Sequence, residues 1–505
     1  MKLKALLPVV SVILLGSCVK DWDKYWDHHH DPSSKENAST FSEISSITIG
    51  GEAAAEISAF DPDTKKLFVV NNDGTSRVDI LDFSNPLAPI LIGNIDITPY
   101  GGGVNSVAVS EGKLAAAIQG FDKTDNGKIA VFKTSDYTVI KIVGVGALPD
   151  MVTFTYDGKY ILSANEGEPN DDYTIDPEGS ISIIDIRKGY SVKTLDFNGF
   201  AAQQATLMSK GLRVFGPGAS FAQDMEPEYV AVSEDSKTAW VTLQENNAVA
   251  VVDIRGGTIK KILPLGFKNY DLAKNAMDPS DKDGGVFLNP WNVKGMYLPD
   301  AIATIEYKGA PLFFTANEGD SRDYSGFSEE ERIKDVTLDP TAFPDAALLQ
   351  QDANLGRLKI TSTLGDEDND GDYDVLYSYG GRSFSIWNGY TGQQVFDSEN
   401  ELDKVCIDAG VYDDGRSDDK SVEAEGVTLG LVGKKLIAFI GMERSNAVAL
   451  YDVTNPYQPS FIKLLPAGTA PEGLLFIPAS ESPSGKSLLV VSSEVSGTVK
   501  TFSVD

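Results

Sequence analysis

Carboxylates recur in this sequence at fixed places in a repeating unit, and that placement gives them their chemical potential. An acid or an Asn opens an apolar strand-like segment at Glu56, Asn105, Asp150, Glu228, Asp300, Glu425 and Glu472. A second acid follows the next apolar segment at Asp73, Glu166, Glu245, Glu318, Glu443 and Glu494, twice within the tetrapeptide Ala-Asn-Glu-Gly at 164–167 and 316–319. Like charges gathered at one opening invite a cation or raise one another's pKa. The plainer role for any single one is to accept backbone N–H bonds from the neighbouring unit. A separate motif, Gly365-Asp366-Glu-Asp368-Asn-Asp370-Gly371-Asp372-Tyr-Asp374, has the alternating aspartates and glycine of the first half of a calcium loop. Tyr377 stands where an EF-hand needs a bidentate Glu, so the loop is not an EF-hand; Asp374, at the ninth position, could supply a ligand. Calcium held by Asp366, Asp368, Asp370, Asp372 and Asp374 is the expectation, against a solvated acidic turn.

The elements that must position these acids follow from the repeat itself. From about residue 50 onward one unit recurs: an acid, an apolar strand, a turn with Asp, Gly or Lys, a second strand, a polar loop, and a third strand often ending in Asp. The clearest copy is Glu228-Tyr-Val-Ala-Val-Ser, Asp235-Ser-Lys, Thr238-Ala-Trp-Val-Thr, Glu245-Asn-Asn and Ala248-Val-Ala-Val-Val-Asp253. Short β-branched segments separated by turn residues are hairpin-linked strands. A unit of about 45 residues cannot bury both faces alone and must stack on its neighbours. Radial stacking predicts an all-β fold, a β-propeller of seven or eight blades. The eighth is a partial unit, residues 375–387, with only the later strands. A β-sandwich would not give so many similar units. In a propeller the first strand of each blade lines the central channel, so the first set of acids predicts one ring at one mouth. Longer excursions at 198–224, 267–298 and 320–355, the last with a short helix expected around Glu329 to Lys334, should decorate one face.

Net charge is −31, with 43 Lys and Arg against 74 Asp and Glu, which repels a phosphate backbone and argues against nucleic acid as a partner. The only histidines, His28, His29 and His30, lie in a polar stretch that reads as a flexible tether. The folded body therefore lacks Ser-His-Asp or Cys-His machinery and histidine-ligated zinc. The chain opens Met1-Lys2-Leu3-Lys4, runs apolar to Leu15 and reaches Leu15-Gly16-Ser17-Cys18. This reads as a lipoprotein signal peptide over 1–17 with lipid (diacylglyceryl, palmitate) on Cys18, a tether over 18–43 and a propeller over 44–505. Val19-Lys20-Asp21-Trp22-Asp23 resembles an export signal to the outer face of the outer membrane, which predicts a surface-exposed outer-membrane lipoprotein, anchored to the membrane and monomeric. With Cys18 lipidated only Cys406 remains, so no intramolecular disulfide holds the body.

Seven motifs carry a resemblance to a known family: residues 164–169 (Ala-Asn-Glu-Gly-Glu-Pro), 299–303 (Pro-Asp-Ala-Ile-Ala), 315–324, 354–359, the 365–374 loop, 380–387 (Gly-Gly-Arg-Ser-Phe-Ser-Ile-Trp) and 471–478. They resemble, in order, the choice-of-anchor I family of surface proteins, similar to mesenchyme-specific cell surface glycoproteins and YVTN/WD40-like propellers. The resemblance implies an extracellular domain carried on varied anchors and brings no catalytic residues with it. Ala424-Glu425-Gly426-Val427 stands where members often read Pro-Glu-Gly-Val. Two functional readings follow. One is a surface binding or adhesion module whose acidic mouth and long loops engage a protein or glycan, with calcium as support. The other is a calcium-assisted hydrolase of phosphoesters or glycosides using channel carboxylates, with Arg322, Arg357, Arg382 and Arg444 as phosphate-binding candidates. The first, non-enzymatic reading is preferred.

Overall fold

In the computed structural model, which describes residues 35–505, seven copies of the repeat each fold as a four-stranded antiparallel sheet. The first blade runs Ala54–Asp61, Lys66–Asn71, Arg77–Asp82 and Ile90–Asp96. The inner strands of the next five are Val104–Ser110, Pro149–Phe154, Pro227–Val232, Ile302–Tyr307 and Ala424–Val432. Burial explains the composition of each strand. The middle strands are covered on both faces by neighbouring blades, so Tyr160–Asn165 and Ser180–Asp185 are buried at every position. The outer strand Ile90–Asp96 is exposed at all but one. Continuous apolar middle strands and polar-tolerant rims are what radial stacking demands.

The seventh blade closes the ring. Its inner strand Pro471–Ile477 is followed by Leu488–Ser493 and Thr498–Ser503, and its outermost strand is Ser42–Thr48 from the other end of the chain, paired from Ser42↔Ser503 to Thr48↔Thr498. The last unit thus packs on the first, as the repeat requires. The folded body reaches back beyond the expected boundary at 44. Glu36 accepts from the backbone and hydroxyl of Ser487 at 2.8 and 2.7 Å, and Phe41 is buried edge-on against Phe439. Residues 36–43 are therefore body and not tether. Cys18 and the three histidines lie outside the described residues.

The blade count resolves at seven. The apparent eighth unit is the fifth blade interrupted: Ile302–Tyr307 and Ala310–Asn317 come before a long insertion, and Ser383–Asn388 and Gln394–Asp397 after it. The insertion joins the 267–298 excursion in a five-stranded sheet ordered Phe267–Asn269, Lys294–Met296, Tyr377–Ser378, Lys359–Thr361 and Glu330–Arg332. It has its own core, including Tyr270, Met277, Ile333, Phe343, Leu358 and Ile360. The helix expected around Glu329 to Lys334 is instead the edge strand Glu330–Arg332 followed by one 3₁₀ turn, because Glu330–Arg332 pairs with Lys359–Thr361. The insertion leaves from the end of a second strand, where the recurrent acids sit, and so rises on the acidic side of the ring.

Candidate functional site

Each inner strand starts with a device that aims its acid into the channel. The ladder shifts register at the acid in five blades and at Asn105 in a sixth, between Ala54 and Ser58, Val104 and Ser106, Pro149 and Val152, Pro227 and Val230, Ala424 and Val427, and Pro471 and Leu474. A bulge re-aims a side chain in this way. Two residues before the acid, Leu148, Leu298, Glu423 and Ala470 take left-handed backbone angles, φ of 45°, 42°, 50° and 56°. Side-chain-bearing residues rarely adopt that conformation, and it persists only where the surroundings enforce it. Here the Leu148, Glu423 and Ala470 carbonyls each accept the N–H of a second-strand acid, Glu166 at 2.8 Å, Glu443 at 2.9 Å and Glu494 at 2.9 Å. These residues are Leu, Ala or Glu, so no glycine marked the turn in the sequence.

The two Ala-Asn-Glu-Gly copies do the same work. Asn165 donates to Ser180 and Ser182 and accepts from Ser163; Asn317 donates to Ser383 and Ser385 and accepts from Thr315. The buried Asn locks the strand end and leaves Glu166 or Glu318 facing the cavity. Gly167 and Gly319 follow at φ 75° and 108°, and a side chain on Gly319 would meet the Gly380 backbone at 2.4 Å.

The result is a cavity of about 390 Å³ at the channel mouth. Asp150, Glu228, Asp300, Glu425 and Glu472 of the expected first ring line it, together with Asn105, which donates to the Pro149 carbonyl at 3.2 Å. Glu56 sits behind this wall, accepting from Asn72. Of the second set, Glu166, Glu245, Glu318 and Glu443 face the cavity. Glu494 stands close enough to Glu56 and Glu472 to repel them.

Asp73 does not join the second ring. It is exposed and accepts from the Gly51 N–H at 2.7 Å. Strand register gives the reason: in six blades the position after the residue paired with the inner strand's first residue is Asn72, Gln119, Glu166, Gln244, Glu443 and Glu494 in turn, and in the fifth Glu318 follows Asn317 as Glu166 follows Asn165. Asp73 and Glu245 fall one residue later, and only Glu245 still turns inward. Glu168 and Asp320, which the repeat did not mark, also line the cavity. Eleven carboxylates therefore face two cations, Lys420 and Arg444. Lys420 is engaged by Asp320 at 3.0 Å, and Arg444 by Glu443 at 2.7 Å and Glu423 at 3.1 Å.

Burial, with like charge second, pushes these acids up. Glu56 and Glu443 rise to about 8 and Asp150 to about 7, while Glu166, Glu228, Glu245, Asp300, Glu425 and Glu472 lie well above the carboxylate range. Three of the four expected phosphate-binding arginines are occupied elsewhere. Arg322, 1% exposed, binds Asp224 at 2.6 Å and Glu226 at 3.1 Å. Arg382 is buried on the carbonyls of Asp278, Ser417 and Asp419, and Arg357 pairs with Asp281 and Asp418.

The aspartate loop does not gather its five acids. Asp366 accepts from the N–H groups of Asp370 and Gly371, Asp370 from that of Asp372, and Asp374 from that of Glu367. Asp368 is exposed. Asp372 and Asp374 instead converge with Asp339 from the preceding segment, with one oxygen of each within 4.8 Å of the others. Partial desolvation, with repulsion from Asp370 and Asp339 second, lifts Asp372 to about 6.

Fold and site together define a seven-bladed propeller with one carboxylate-walled channel mouth. Within that class the chain belongs to the choice-of-anchor I family, whose Choice-of-anchor I domain matches residues 56–456. Membership supports a surface propeller module. The chain is 29% identical over 190 residues to Gigasin-3a of Magallana gigas, a match covering 31% of this chain and 66% of that relative's length. Among solved structures it is similar to Kuenenia stuttgartiensis hydrazine synthase, with 13% identity, TM-score 0.47, and coverage of 90% of this chain and 96% of that one. It is also similar to the Myceliophteria thermophila Cps50 (Swd1) β-propeller domain, with 9% identity, TM-score 0.46, and coverage of 92% and 100%.

Proposed function

We propose that this protein is a surface-held binding module whose ligand, a protein or glycan, seats in the acidic mouth of the channel with calcium in support. The observation that carries this reading is the 390 Å³ cavity walled by eleven carboxylates, bordered by the insertion through Glu318, Asp320 and the Tyr324 hydroxyl on Glu168 at 2.9 Å. Long loops over a rigid ring are where binding residues concentrate. Calcium at Asp339, Asp372 and Asp374 would steady the insertion. A lipid on Cys18 would hold the module at the outer membrane, so Cys18→Ala should move it from the membrane to the soluble fraction. The ligand reading is tested by probing a glycan array and a panel of surface proteins with wild type and with Asn105→Arg, which puts a cation in the mouth. Binding that is lost in the variant supports the reading; binding that is unchanged places the ligand elsewhere.

One observation favours hydrolysis as a second reading. Asp150 and Glu443 retain protons near neutrality, as a general acid must. Turnover of aryl phosphates or aryl glycosides that disappears in Asp150→Asn would establish it.

A further inference from the structure

We propose that the mouth holds two divalent cations of the calcium class, one at Asp150, Glu166 and Glu228 and one at Asp300, Glu318 and Glu425. The inference rests on the reading of the mouth as the binding site and deepens it by naming an occupant. Each triad brings one oxygen from each carboxylate within 4.8 Å of the others. Ligands at 2.3–2.6 Å from a calcium ion lie at most about 5 Å apart, so both triads have the size of a partial calcium shell.

The two sites are built by the same rule: the inner-strand acid of one blade, the Glu of that blade's Ala-Asn-Glu-Gly, and the inner-strand acid of the next blade. Buried Asn165 and Asn317 hold the two Glu-bearing strand ends through equivalent Ser and Thr contacts. A chance accumulation of surface charge would not repeat its scaffold.

A second, independent observation points to a ligand. Glu245 lines the same cavity, is 4% exposed, and its Oε2 is buried without a hydrogen-bond donor. Glu228 Oε2 and Glu425 Oε2, one from each triad, are likewise buried and undonated. Buried carboxylate oxygens without donors are costly. Nearby the fold does supply partners: Glu423 has Arg416 and Arg444, and Asp224 and Glu226 have Arg322. Both triads line one cavity whose only cations are Lys420 and Arg444: Lys420 pairs with Asp320 at 3.0 Å and reaches Glu318 of the second triad at 3.5 Å, Gln244 donates to Glu318 at 2.7 Å, and Arg444 is held by Glu443, so the first triad has no cationic partner and the second only a shared one.

The donor set selects the ion. All six groups are carboxylates and the mouth has neither His nor Cys, which suits hard cations. Three protein oxygens opening onto a cavity leave positions for water or a ligand's oxygens; calcium's large, flexible shell takes three carboxylates and several further oxygens, whereas magnesium usually takes only one or two carboxylates and keeps its waters.

Tyr229 lines the cavity and provides a reporter, because tyrosine light sensitises terbium bound beside it. Metal-free full-length protein titrated with terbium should show sensitised emission that calcium displaces and that Tyr229→Phe, with every carboxylate intact, reduces at least severalfold. Calorimetric titration with calcium, in a background of Asp372→Asn with Asp374→Asn, should give two sites. Glu228→Gln should remove one, Glu425→Gln the other, and the pair both. Emission indifferent to Tyr229→Phe, or two sites surviving in the pair, would overturn the proposal. Ligand binding that is lost in Asn105→Arg, in a wild type that takes up no cation, would sink the cations and spare the binding reading. Cation binding without any ligand dependence on the mouth would do the reverse.

Discussion

The two ends of the channel are made by the same seven inner strands, yet they share almost no chemistry. At one end the strands begin, and carboxylates wall a 390 Å³ cavity. At the other they finish, and a 590 Å³ cavity is lined by Val109, Thr153, Phe154, Val230, Ala231, Thr304, Thr428 and Phe476 among others, with acids such as Asp63 and Glu481 on its rim. Closing the ring requires only that inner strands approach one another, which the neutral end manages with Thr, Val and Ala. The acids here, Asp61, Asp63, Glu111 and Glu481, form no ring, whereas the ring of acids at the strand starts, the bulges beneath them and the left-handed residues before them belong to the other end. They are additions to what the fold needs, and function is to be sought in such additions.

The sharpest way to test that distinction is to compare acids the fold has paired with acids it has not. Removing the cation from Asp224 and Glu226 with Arg322→Ala should lower stability by about 3–5 kcal/mol, since two buried carboxylates lose their partner. Glu228→Gln, which neutralises an unpaired oxygen, should leave the metal-free protein as stable or more so. Denaturant unfolding of both variants decides it, and an equal loss in the two would erase the distinction.

The pH response should be the next largest effect. Glu56 and Glu443 hold their protons to about 8, against 4.5 when exposed. Between these values the folded state binds more protons than the unfolded one, so stability falls as pH rises from about 4.5 through about 8, and below that window the penalty is absent. Each tenfold separation in acidity is worth about 1.4 kcal/mol. Metal-free protein should therefore melt higher at pH 5 than at pH 8, with a shallower slope in Glu56→Gln. A melting temperature that rises over this range would contradict the assigned burial of these acids.

The surface loop should matter less. Asp372→Asn with Asp374→Asn should remove only a small part of the calcium-induced rise in melting temperature, because Asp366 and Asp370 are committed to the loop's own backbone. Smallest of all, Thr428→Ala at the neutral end should leave that rise unchanged. If instead the loop variant removes most of the rise, calcium acts on the insertion and not on the mouth.

Much of this was legible in the chain. The spacing of Glu56, Asn105, Asp150, Glu228, Asp300, Glu425 and Glu472 foretold one residue per blade because strand period and repeat period are both local properties. What escaped was anything set by a one-residue register difference or by contact across the ring. Asp73 looked equivalent to Glu166, but Asn72 fills that place in the first blade. The fifth blade's interruption looked like an eighth blade, since its later strands stand apart in sequence. Asp339 completes a triad with Asp372 and Asp374 from more than thirty residues away, and no spacing rule connects them. Arg322 looked like a phosphate ligand because its buried partners lie near position 225, in a different blade connection.

If the acidic end is the cation-holding binding mouth proposed above, the neutral end is only the far side of a ring. Crystals grown in calcium and then exchanged into manganese, with data collected for anomalous scattering, test it most directly. Two strong peaks are expected, one among Asp150, Glu166 and Glu228 and one among Asp300, Glu318 and Glu425, and none at the neutral end. Peaks only at Asp339, Asp372 and Asp374, with the mouth holding water alone, would contradict it.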